Sequence, residues 1–421
     1  MSSYIHHVQG LACRDCGRNY PLENLTVCEH CFGRLEPRYN YGAIRRYLSR
    51  GLIYSRPQNI WRYRELLPLT GLPQVGQSNG FTPLVRARRL AERLGVSELY
   101  IKNDAVNAPT LSYKDRVVPV AISRALETGL ELFACASTGN LANSVAAHAA
   151  QAGLPCIVFI PDNLEAAKIV NSLVYGPTVV AVKGNYDAVN RLCAELTARH
   201  PSWGIANVNL RPYYAEGAKT MAFEIAEQLG WRFPRHVVLP VAGGTLLPRV
   251  HRGFDEFVKV GLVEGELPRI HAAQPEGCCP VVDAFLHRRD RIVPQKPNTI
   301  AKSLAIGDPA DGYTVLESLK ATGGSAVAVP DEEIIGAIKL LAETEGIFAE
   351  TAGGATLAGA VRLSESGVIP RHESIVVAVT GNGLKTQAAL DGALAQPVRV
   401  EARVEHFEAA WQELQKEAIA A

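Results

Sequence analysis

Short apolar runs alternate with longer amphipathic stretches over most of this chain. Residues 132–136, 156–160 and 179–182 are short apolar runs of the kind that forms buried strands. An alanine-rich stretch at residues 141–152 separates the first two runs and stops at Gly153, which predicts a helix. Strands that alternate with helices of this length form parallel βαβ units. The pattern therefore predicts an α/β protein.

Three further apolar runs, at residues 99–102, 237–241 and 375–379, also predict strands. Small and hydroxylated residues follow three of the predicted strands: Ser137, Thr138 and Asn140; Ala242, Gly243, Gly244 and Thr245; and Thr380 with Gly381. Ligands of open parallel sheets bind beyond the carboxyl ends of the strands. A glycine-containing turn can also direct successive backbone N–H groups at an anion. We therefore expect these loops to contact a ligand.

The octapeptide at residues 109–116, Pro-Thr-Leu-Ser-Tyr-Lys-Asp-Arg, places Lys114 at the start of a predicted helix. A lysine in such a peptide is ordinarily a surface residue. A partly desolvated lysine, however, loses its proton more readily and can form an imine with an aldehyde cofactor. The helix N-terminus beside it would favour a cofactor phosphate. Taken together with the downstream loops, Lys114 is the candidate catalytic residue.

Two C-x2-C pairs, Cys13 with Cys16 and Cys28 with Cys31, lie near the N-terminus and are separated by eleven residues. Two such pairs can present four thiolates in the tetrahedral arrangement that suits zinc. Thiol redox chemistry is the competing interpretation, but no βαβ pattern surrounds either pair. Because four thiolates complete the zinc shell, we expect a structural metal that is closed to substrate, with His30 outside the shell.

Residues 39–68 are rich in arginine, tyrosine and tryptophan. With the cysteine pairs, this stretch could belong to a zinc-ribbon protein that binds nucleic acid. The other interpretation is a segment that wraps the main body and shields it at a subunit contact. The formal net charge of the chain is only +1, which favours the second interpretation. We therefore expect no nucleic-acid partner, and a homo-oligomer is possible.

The composition is that of an ordinary globular protein. The chain has 421 residues, of which 47% are hydrophobic and 20% are charged, so a large buried core is expected. No apolar run approaches the ~18 residues of a membrane span, and we expect no membrane partner. Nine cysteines without a disulfide-like framework point to a reducing compartment. The predicted location is the cytoplasm.

Several stretches resemble the threonine synthases, which are fold-type II pyridoxal phosphate enzymes. They are the octapeptide around Lys114, residues 137–140, Glu216-Gly217-x-Lys219-Thr220, residues 299–309 and residues 380–385. The resemblance implies two domains of open, twisted parallel sheets flanked by helices, similar to the tryptophan synthase β subunit, with a small N-terminal zinc ribbon that has four cysteine ligands. It implies a ribbon at residues 1–38, a large cofactor-binding domain at 39–118 and 218–400, a small α/β domain at 119–217, and a C-terminal helix at 401–421.

The resemblance also implies an activity, the conversion of O-phospho-L-homoserine and water to L-threonine and phosphate, and it assigns roles to individual residues. Lys114 holds pyridoxal phosphate, Asn140 binds its phenolic oxygen, and the Thr380 hydroxyl faces its pyridine nitrogen. The cofactor phosphate is expected at Ala242, Gly243, Gly244 and Thr245. Ser137 and Thr138 are expected to bind the substrate carboxylate. The γ-phosphate of this small-molecule substrate is expected at Ser112, Arg116, Asn207, Asn209 and Arg211.

One residue departs from the family pattern. Tyr214 stands where many threonine synthases carry an arginine for the substrate phosphate, and Arg211 lies just upstream. This departure keeps an alternative open, a β-replacement synthase that uses O-phosphoserine and makes cysteate or cysteine.

Overall fold

The computed structural model describes residues 6–137, 139–162, 170–183 and 186–420. These residues form one unit that extends to Thr386 and a smaller unit that begins at Gln387. None of the helices in these ranges is long and apolar enough to cross a bilayer.

The strands are β1 (Val8–Cys13), β2 (Asn19–Tyr20), β3 (Leu35–Tyr39), β4 (Leu84–Arg86), β5 (Glu98–Asn103), β6 (Leu132–Ala136), β7 (Cys156–Pro161), β8 (Thr178–Val182), β9 (Trp203–Ile205), β10 (His236–Pro240), β11 (Arg269–Pro275), β12 (Ala326–Val329) and β13 (Ser374–Val379). The α-helices are α1 (Tyr41–Tyr47), α2 (Arg50–Tyr54), α3 (Arg88–Leu94), α4 (Lys114–Glu127), α5 (Asn140–Ala152), α6 (Val170–Leu173), α7 (Tyr186–Arg199), α8 (Arg211–Glu216), α9 (Lys219–Gln228), α10 (Leu246–Lys259), α11 (Pro280–Leu286), α12 (Gly312–Thr322), α13 (Asp331–Glu345), α14 (Thr351–Glu365) and α15 (Val404–Ala420).

The larger of the two parallel sheets has the strand order β12-β11-β10-β13-β5-β4, and only β4 pairs antiparallel with its neighbour. Every residue of β10 is buried. A strand buried throughout requires cover on both faces of the sheet, which is typical of parallel sheets in α/β proteins. Helix α14 packs along β10 to β13, and α10, α11 and α12 pack on β11.

A second sheet has the order β8-β7-β6-β9, and all its neighbouring strands are parallel. Helices α5 and α7 pack on it. Strand β6 spans the predicted residues, and α5 begins at Asn140, one residue before the predicted start. Gly153 ends α5 with a φ of +65°, in the left-handed region that glycine adopts without strain. The predicted α/β architecture with parallel βαβ units is confirmed.

The N-terminal strands form a separate small sheet in the order β2-β1-β3, with β1 antiparallel to both neighbours. The segment after it packs on the main body through a buried cluster that includes Ile44, Tyr63, Phe223 and Phe257. Ring centres of Phe223 and Phe257 lie 4.6 Å apart in a stacked arrangement. Arg62 is buried and pairs with Glu227 at 2.9 Å. Residues 39–68 therefore wrap the main body at these contacts, as the second interpretation of this segment requires.

Candidate active site

The loop that carries Lys114 is joined to the loop after β13. The Tyr113 N–H donates to the Thr380 carbonyl at 2.9 Å. The buried Asp115 carboxylate accepts from the Thr110 N–H at 2.9 Å and from the Thr110 hydroxyl at 2.8 Å, which closes the loop on itself. Two segments far apart in the sequence thus meet at the carboxyl end of the larger sheet, where Lys114 begins α4.

Two phenol groups hold the Lys114 amine. Its Nζ donates to the Tyr113 hydroxyl oxygen at 2.7 Å and to the Tyr214 hydroxyl oxygen at 2.8 Å. Burial lowers the pKa of the amine, but the two tyrosine oxygens raise it by more, so the pKa of Lys114 lies above its ordinary value. The two phenol oxygens therefore hold the amine in one position, and their effect on its pKa opposes the lowering by burial that the sequence led us to expect.

A second cluster surrounds the buried carboxylate of Glu350. Asn140 Nδ2 donates to this carboxylate at 2.8 Å, and the Thr380 hydroxyl donates to it at 3.3 Å. Lys385 Nζ donates to Asn140 Oδ1 at 2.8 Å. Burial raises the pKa of Glu350, and Asn140 and Lys385 oppose this shift. The structure therefore brings Asn140 and Thr380 to a single carboxylate and adds Glu350 and Lys385 to the site.

Two glycines after Thr380 leave no room for a side chain. A Cβ added to Gly381 would lie 2.5 Å from the Glu350 carboxylate, and one added to Gly383 would lie 2.2 Å from the Phe348 ring. Real Cβ atoms do not approach neighbours this closely. The backbone of this loop therefore packs directly against the Glu350 cluster.

The glycine turn between β10 and α10 lies beside Asp311. Gly244 has a φ of +90°, and a Cβ there would lie 2.8 Å from the Asp311 carbonyl carbon. The Asp311 N–H donates to the Gly243 carbonyl at 2.9 Å. The Thr245 hydroxyl and the Arg211 guanidinium donate to the same Asp311 carboxylate oxygen, at 2.9 Å and 2.6 Å. The turn thus requires glycine and brings Thr245 close to Arg211.

The structure places Arg116, a predicted ligand of the substrate phosphate, in the buried core. Its side chain is 0% exposed. The guanidinium pairs with Asp104 at 2.6 Å and with Glu224 at 2.5 Å, and it also donates to Thr82 and Thr220. Because two buried carboxylates neutralise it, Arg116 is part of the core that supports α4.

Two further predicted phosphate ligands, Asn209 and Ser112, make hydrogen bonds to the nearby backbone. Asn209 holds the turn after β9, since its Oδ1 accepts from the Ile205 N–H and its Nδ2 donates to the Trp203 carbonyl, both at 2.8 Å. Ser112 is fully buried, and its hydroxyl oxygen accepts from the Lys114 N–H at 3.4 Å. Both side chains therefore contact the local backbone, and their role toward the substrate phosphate stays a prediction.

The remaining predicted substrate residues lie at the carboxyl edge of the smaller sheet or near it. Asn207 exchanges two hydrogen bonds with the Ala136 backbone, which places it next to Ser137. The Ser137 hydroxyl accepts from the Gly139 N–H at 3.3 Å. Arg211 begins α8, one turn before Tyr214. Thr138 lies outside the described residues.

The four N-terminal cysteines converge, as the spacing predicts. Their Sγ atoms all lie within 4.8 Å of one another, with Cys13 and Cys31 at 3.4 Å and Cys16 and Cys28 at 3.6 Å. Tetrahedral zinc with bonds of about 2.3 Å places its sulfurs about 3.8 Å apart. The donor set and its spacing therefore fit zinc. His30 is exposed and stands outside the cluster.

Comparison with known proteins assigns this arrangement to a family. Residues 75–381 match the model of the pyridoxal-phosphate dependent enzyme family. A threonine synthase from Methanocaldococcus jannaschii is 39% identical over 392 residues, which cover 92% of this chain and 96% of that protein. A threonine synthase from Methanosarcina acetivorans is 36% identical, over 94% of this chain and 96% of that protein. The chain belongs to the threonine synthase family of pyridoxal-phosphate dependent enzymes.

Solved structures with low sequence identity share the fold of this threonine synthase family member. A fungal L-serine ammonia-lyase from Rhizomucor miehei superposes with a TM-score of 0.64 at 23% identity, over 75% of this chain and 98% of that chain. The processed form of threonine deaminase isoform 2 from Solanum lycopersicum gives 0.63 at 22% identity, over 75% of this chain and 83% of that chain. These neighbours confirm the predicted fold class.

The structure adds three residues to the site, Glu350, Lys385 and Tyr214, whose contacts the sequence pattern does not indicate. Glu350 directly precedes α14, where an acidic residue is so common that it carries no signal of a site. Lys385 belongs to a stretch that resembles the threonine synthases, but its contact with Asn140 depends on folding. The sequence shows Tyr214 only as a tyrosine where many relatives carry an arginine, whereas in the structure its hydroxyl accepts a hydrogen bond from the Lys114 amine.

Proposed function

We propose that this protein converts O-phospho-L-homoserine and water to L-threonine and phosphate, with Lys114 as the cofactor-binding and catalytic residue. The observation that carries the proposal is the Lys114 amine itself, fixed by two phenols at the meeting point of the loops that resemble those of the threonine synthases. The extent of the similarity to proteins named threonine synthase supports the reaction.

The residues present fit pyridoxal phosphate. Lys114 offers an amine for the aldehyde, and the Gly243–Gly244 turn leads into the N-terminus of α10, which suits a phosphate. A Cβ added to Gly243 would have no atom within 4 Å, so the space beside this turn is open. We assign the cofactor phosphate to residues 242–245, the phenolic oxygen to Asn140 and the pyridine nitrogen to Thr380. When bound, the cofactor supplies an electron sink for the substrate α carbon.

Lys114 would be the group that moves protons. Its nitrogen would take a proton from the α carbon, give that proton up, and then take one from the β carbon, where the electron pair left behind would expel phosphate from the γ carbon. Lys114 would deliver the β proton to the γ carbon. Water would then add its hydroxyl at the β carbon while its other proton goes to the released phosphate, and Lys114 would return a proton to the α carbon. Tyr113 and Tyr214 keep the nitrogen in position, because both hydroxyls contact it. Ser137 and Thr138 would bind the substrate carboxylate, with Asn207 beside them.

We also propose that the Cys13–Cys16–Cys28–Cys31 cluster holds a structural zinc ion, because four thiolates leave no position for substrate. We also propose a cytoplasmic location, because nine cysteines without a disulfide-like framework are typical of a reducing compartment. A homo-oligomer is part of the proposal.

Phosphate release from two substrates tests the reaction. We expect the purified protein, supplied with pyridoxal phosphate, to show a kcat/KM for O-phospho-L-homoserine that exceeds that for O-phospho-L-serine by about 100-fold or more. The phosphoserine arm includes sulfite or sulfide as the nucleophile. A preference for phosphoserine would establish the β-replacement alternative that Tyr214 keeps open, and release from neither compound would contradict the proposal.

A further inference from the structure

A cavity of about 180 Å³ lies where the N-terminal ribbon meets α8 and α10. The ribbon contributes Arg14 and Arg34 to its lining, α8 contributes Arg211, and α10 contributes Arg249. Gly244 and Thr245, from the turn assigned to the cofactor phosphate, line the same cavity. The ribbon therefore borders the catalytic region.

The arginines of this cavity differ in the number of carboxylates with which they pair. Arg249 pairs with Glu36 at 2.7 Å and with Glu216 at 2.9 Å, and Arg14 pairs with Glu317. Arg34 and Arg211, however, pair with one and the same carboxylate, that of Asp311. Among the ion pairs of the described residues, these two guanidinium groups thus share a single negative charge.

The donors at this point match an anion that carries more than one charge. Arg34, Arg211 and the Thr245 hydroxyl all converge on the Asp311 carboxylate. Burial lowers the pKa of Arg211 to about 10, and the positive charge of Arg34 adds to this shift. Arginine forks and hydroxyl donors are the groups that recognise phosphate in proteins. Asp311 offers one negative charge to two guanidinium groups, and a doubly charged phosphate would offer two.

We propose that Arg34 of the ribbon, together with Arg211, binds a phosphate monoester in this cavity, where it replaces Asp311 as their shared acceptor. This inference rests on the proposed function, whose reaction involves two phosphate monoesters, that of the cofactor and that of the substrate. It makes the ribbon a contributor to ligand recognition, through a residue three positions after Cys31.

The alternative is that Arg34 only fastens the ribbon. Arg14 does this on the same face, since it also donates to Thr314 and lies 5.8 Å from the Tyr313 ring centre. Both roles predict that loss of Arg34 lowers thermal stability. Only the binding role predicts weaker affinity for phosphate, so affinity is the deciding quantity.

The test compares Arg34→Gln with Arg38→Gln in the full-length, zinc-loaded protein. Arg38 is exposed on β3 and lies outside the cavity lining, which makes it a matched control. Calorimetry measures the Kd for inorganic phosphate, cofactor titration measures the Kd for pyridoxal phosphate, and steady-state assays give KM for O-phospho-L-homoserine. We expect Arg34→Gln to weaken inorganic phosphate binding by about 10-fold or more, because a charge-assisted contact is lost. Arg38→Gln should leave all three values unchanged.

The other two values identify the source of the phosphate. A raised KM for O-phospho-L-homoserine with an unchanged Kd for pyridoxal phosphate assigns the cavity to the substrate. An unchanged KM with a raised Kd for pyridoxal phosphate assigns it to the cofactor. Asp311→Asn provides a second variant, since removal of the competing carboxylate should tighten inorganic phosphate binding. Unchanged phosphate affinity in Arg34→Gln, or weaker affinity in Asp311→Asn, would overturn the inference. Phosphate binding through Arg34 in a protein without threonine synthase activity would overturn the proposed function and leave this inference standing.

Discussion

At the scale of single residues, the site depends on polar groups that several distant segments supply to each other. The Lys114 amine donates a hydrogen bond to the hydroxyl of Tyr214, a hundred positions along the chain. The Asn140 amide donates one to the carboxylate of Glu350, more than two hundred positions along the chain. Each group limits the freedom of its partner, so these side chains are held in fixed positions by contacts between distant segments.

Replacing Lys114 with alanine should abolish turnover and leave the fold intact. The amine makes two hydrogen bonds to tyrosines, and no other lysine lies in this loop. We expect kcat to fall by about 1,000-fold or more and the visible absorbance of bound cofactor to disappear. Lys320→Ala is the control, because Lys320 is exposed on α12. Wild-type turnover in Lys114→Ala would remove this residue from the mechanism.

Two substitutions of Thr380 compare a charged side chain with a neutral one at the same position. The Thr380 hydroxyl lies 3.3 Å from the Glu350 carboxylate, so Thr380→Asp would place a second carboxylate beside Glu350. The added negative charge would favour a protonated cofactor ring. We expect phosphate release to fall by about 100-fold or more in this variant. Thr380→Val should cost less than Thr380→Asp, because it removes one hydrogen bond to Glu350 and adds no charge. Equal rates in Thr380→Asp and wild type would mean that Thr380 does not face the ring.

Gly381→Ala tests how closely the β13 loop packs on Glu350. The added methyl group would lie 2.5 Å from the carboxylate, so we expect a loss of about 1–3 kcal/mol in the free energy of unfolding together with reduced activity. Gly336→Ala is the control in α13, where an added Cβ meets no atom within 4 Å. Helix propensity predicts that this control gains about 0.5–1 kcal/mol. Chemical denaturation of both variants decides the question, and equal stability of the two would contradict the packing.

At the scale of elements, sequence patterns located the strands that end at the site but missed others. Strand β11 was not predicted because His271 and Gln274 interrupt its apolar run. Both residues are buried and paired, His271 with His236 at 2.9 Å and Gln274 with the backbone of Val281 and Val282. A single sequence cannot show that such polar residues find partners inside the core, and β12 was missed because it spans only Ala326–Val329.

The same reason applies to the buried partners of Arg116. Arg116 stands in a motif that resembles a ligand-binding motif, but its partners Asp104 and Glu224 are brought to it only by the fold. The cysteine spacing, in contrast, predicted a cluster correctly, because two short knuckles need little else to converge.

Removal of zinc should unfold the ribbon and leave the cofactor lysine intact. We expect purified protein to contain about one zinc per chain, and Cys28→Ser to lose it, because each thiolate is needed for the tetrahedral shell. The ribbon should then become sensitive to proteolysis while the cofactor absorbance at Lys114 persists. Cys193→Ser is the control, since Cys193 is buried far along the chain on α7. A full zinc content in Cys28→Ser would contradict the site.

At the scale of the whole molecule, two parallel sheets place their carboxyl-terminal loops where the functional groups collect. The larger sheet supplies the loops after β5, β10 and β13, and the smaller sheet supplies the loop after β6. The ribbon adds its arginines beside the turn after β10. Because the loops come from both sheets and from the ribbon, the residues of the candidate site are spread over most of the first unit.

Product analysis is the most direct measurement of the proposed activity. Purified protein with pyridoxal phosphate is incubated with O-phospho-L-homoserine in water that carries a heavy oxygen isotope. Threonine and phosphate are then quantified. We predict equal amounts of the two products, with the label in the threonine hydroxyl, and neither product from Lys114→Ala. Phosphate release without threonine, or threonine without the label, would contradict the proposed reaction.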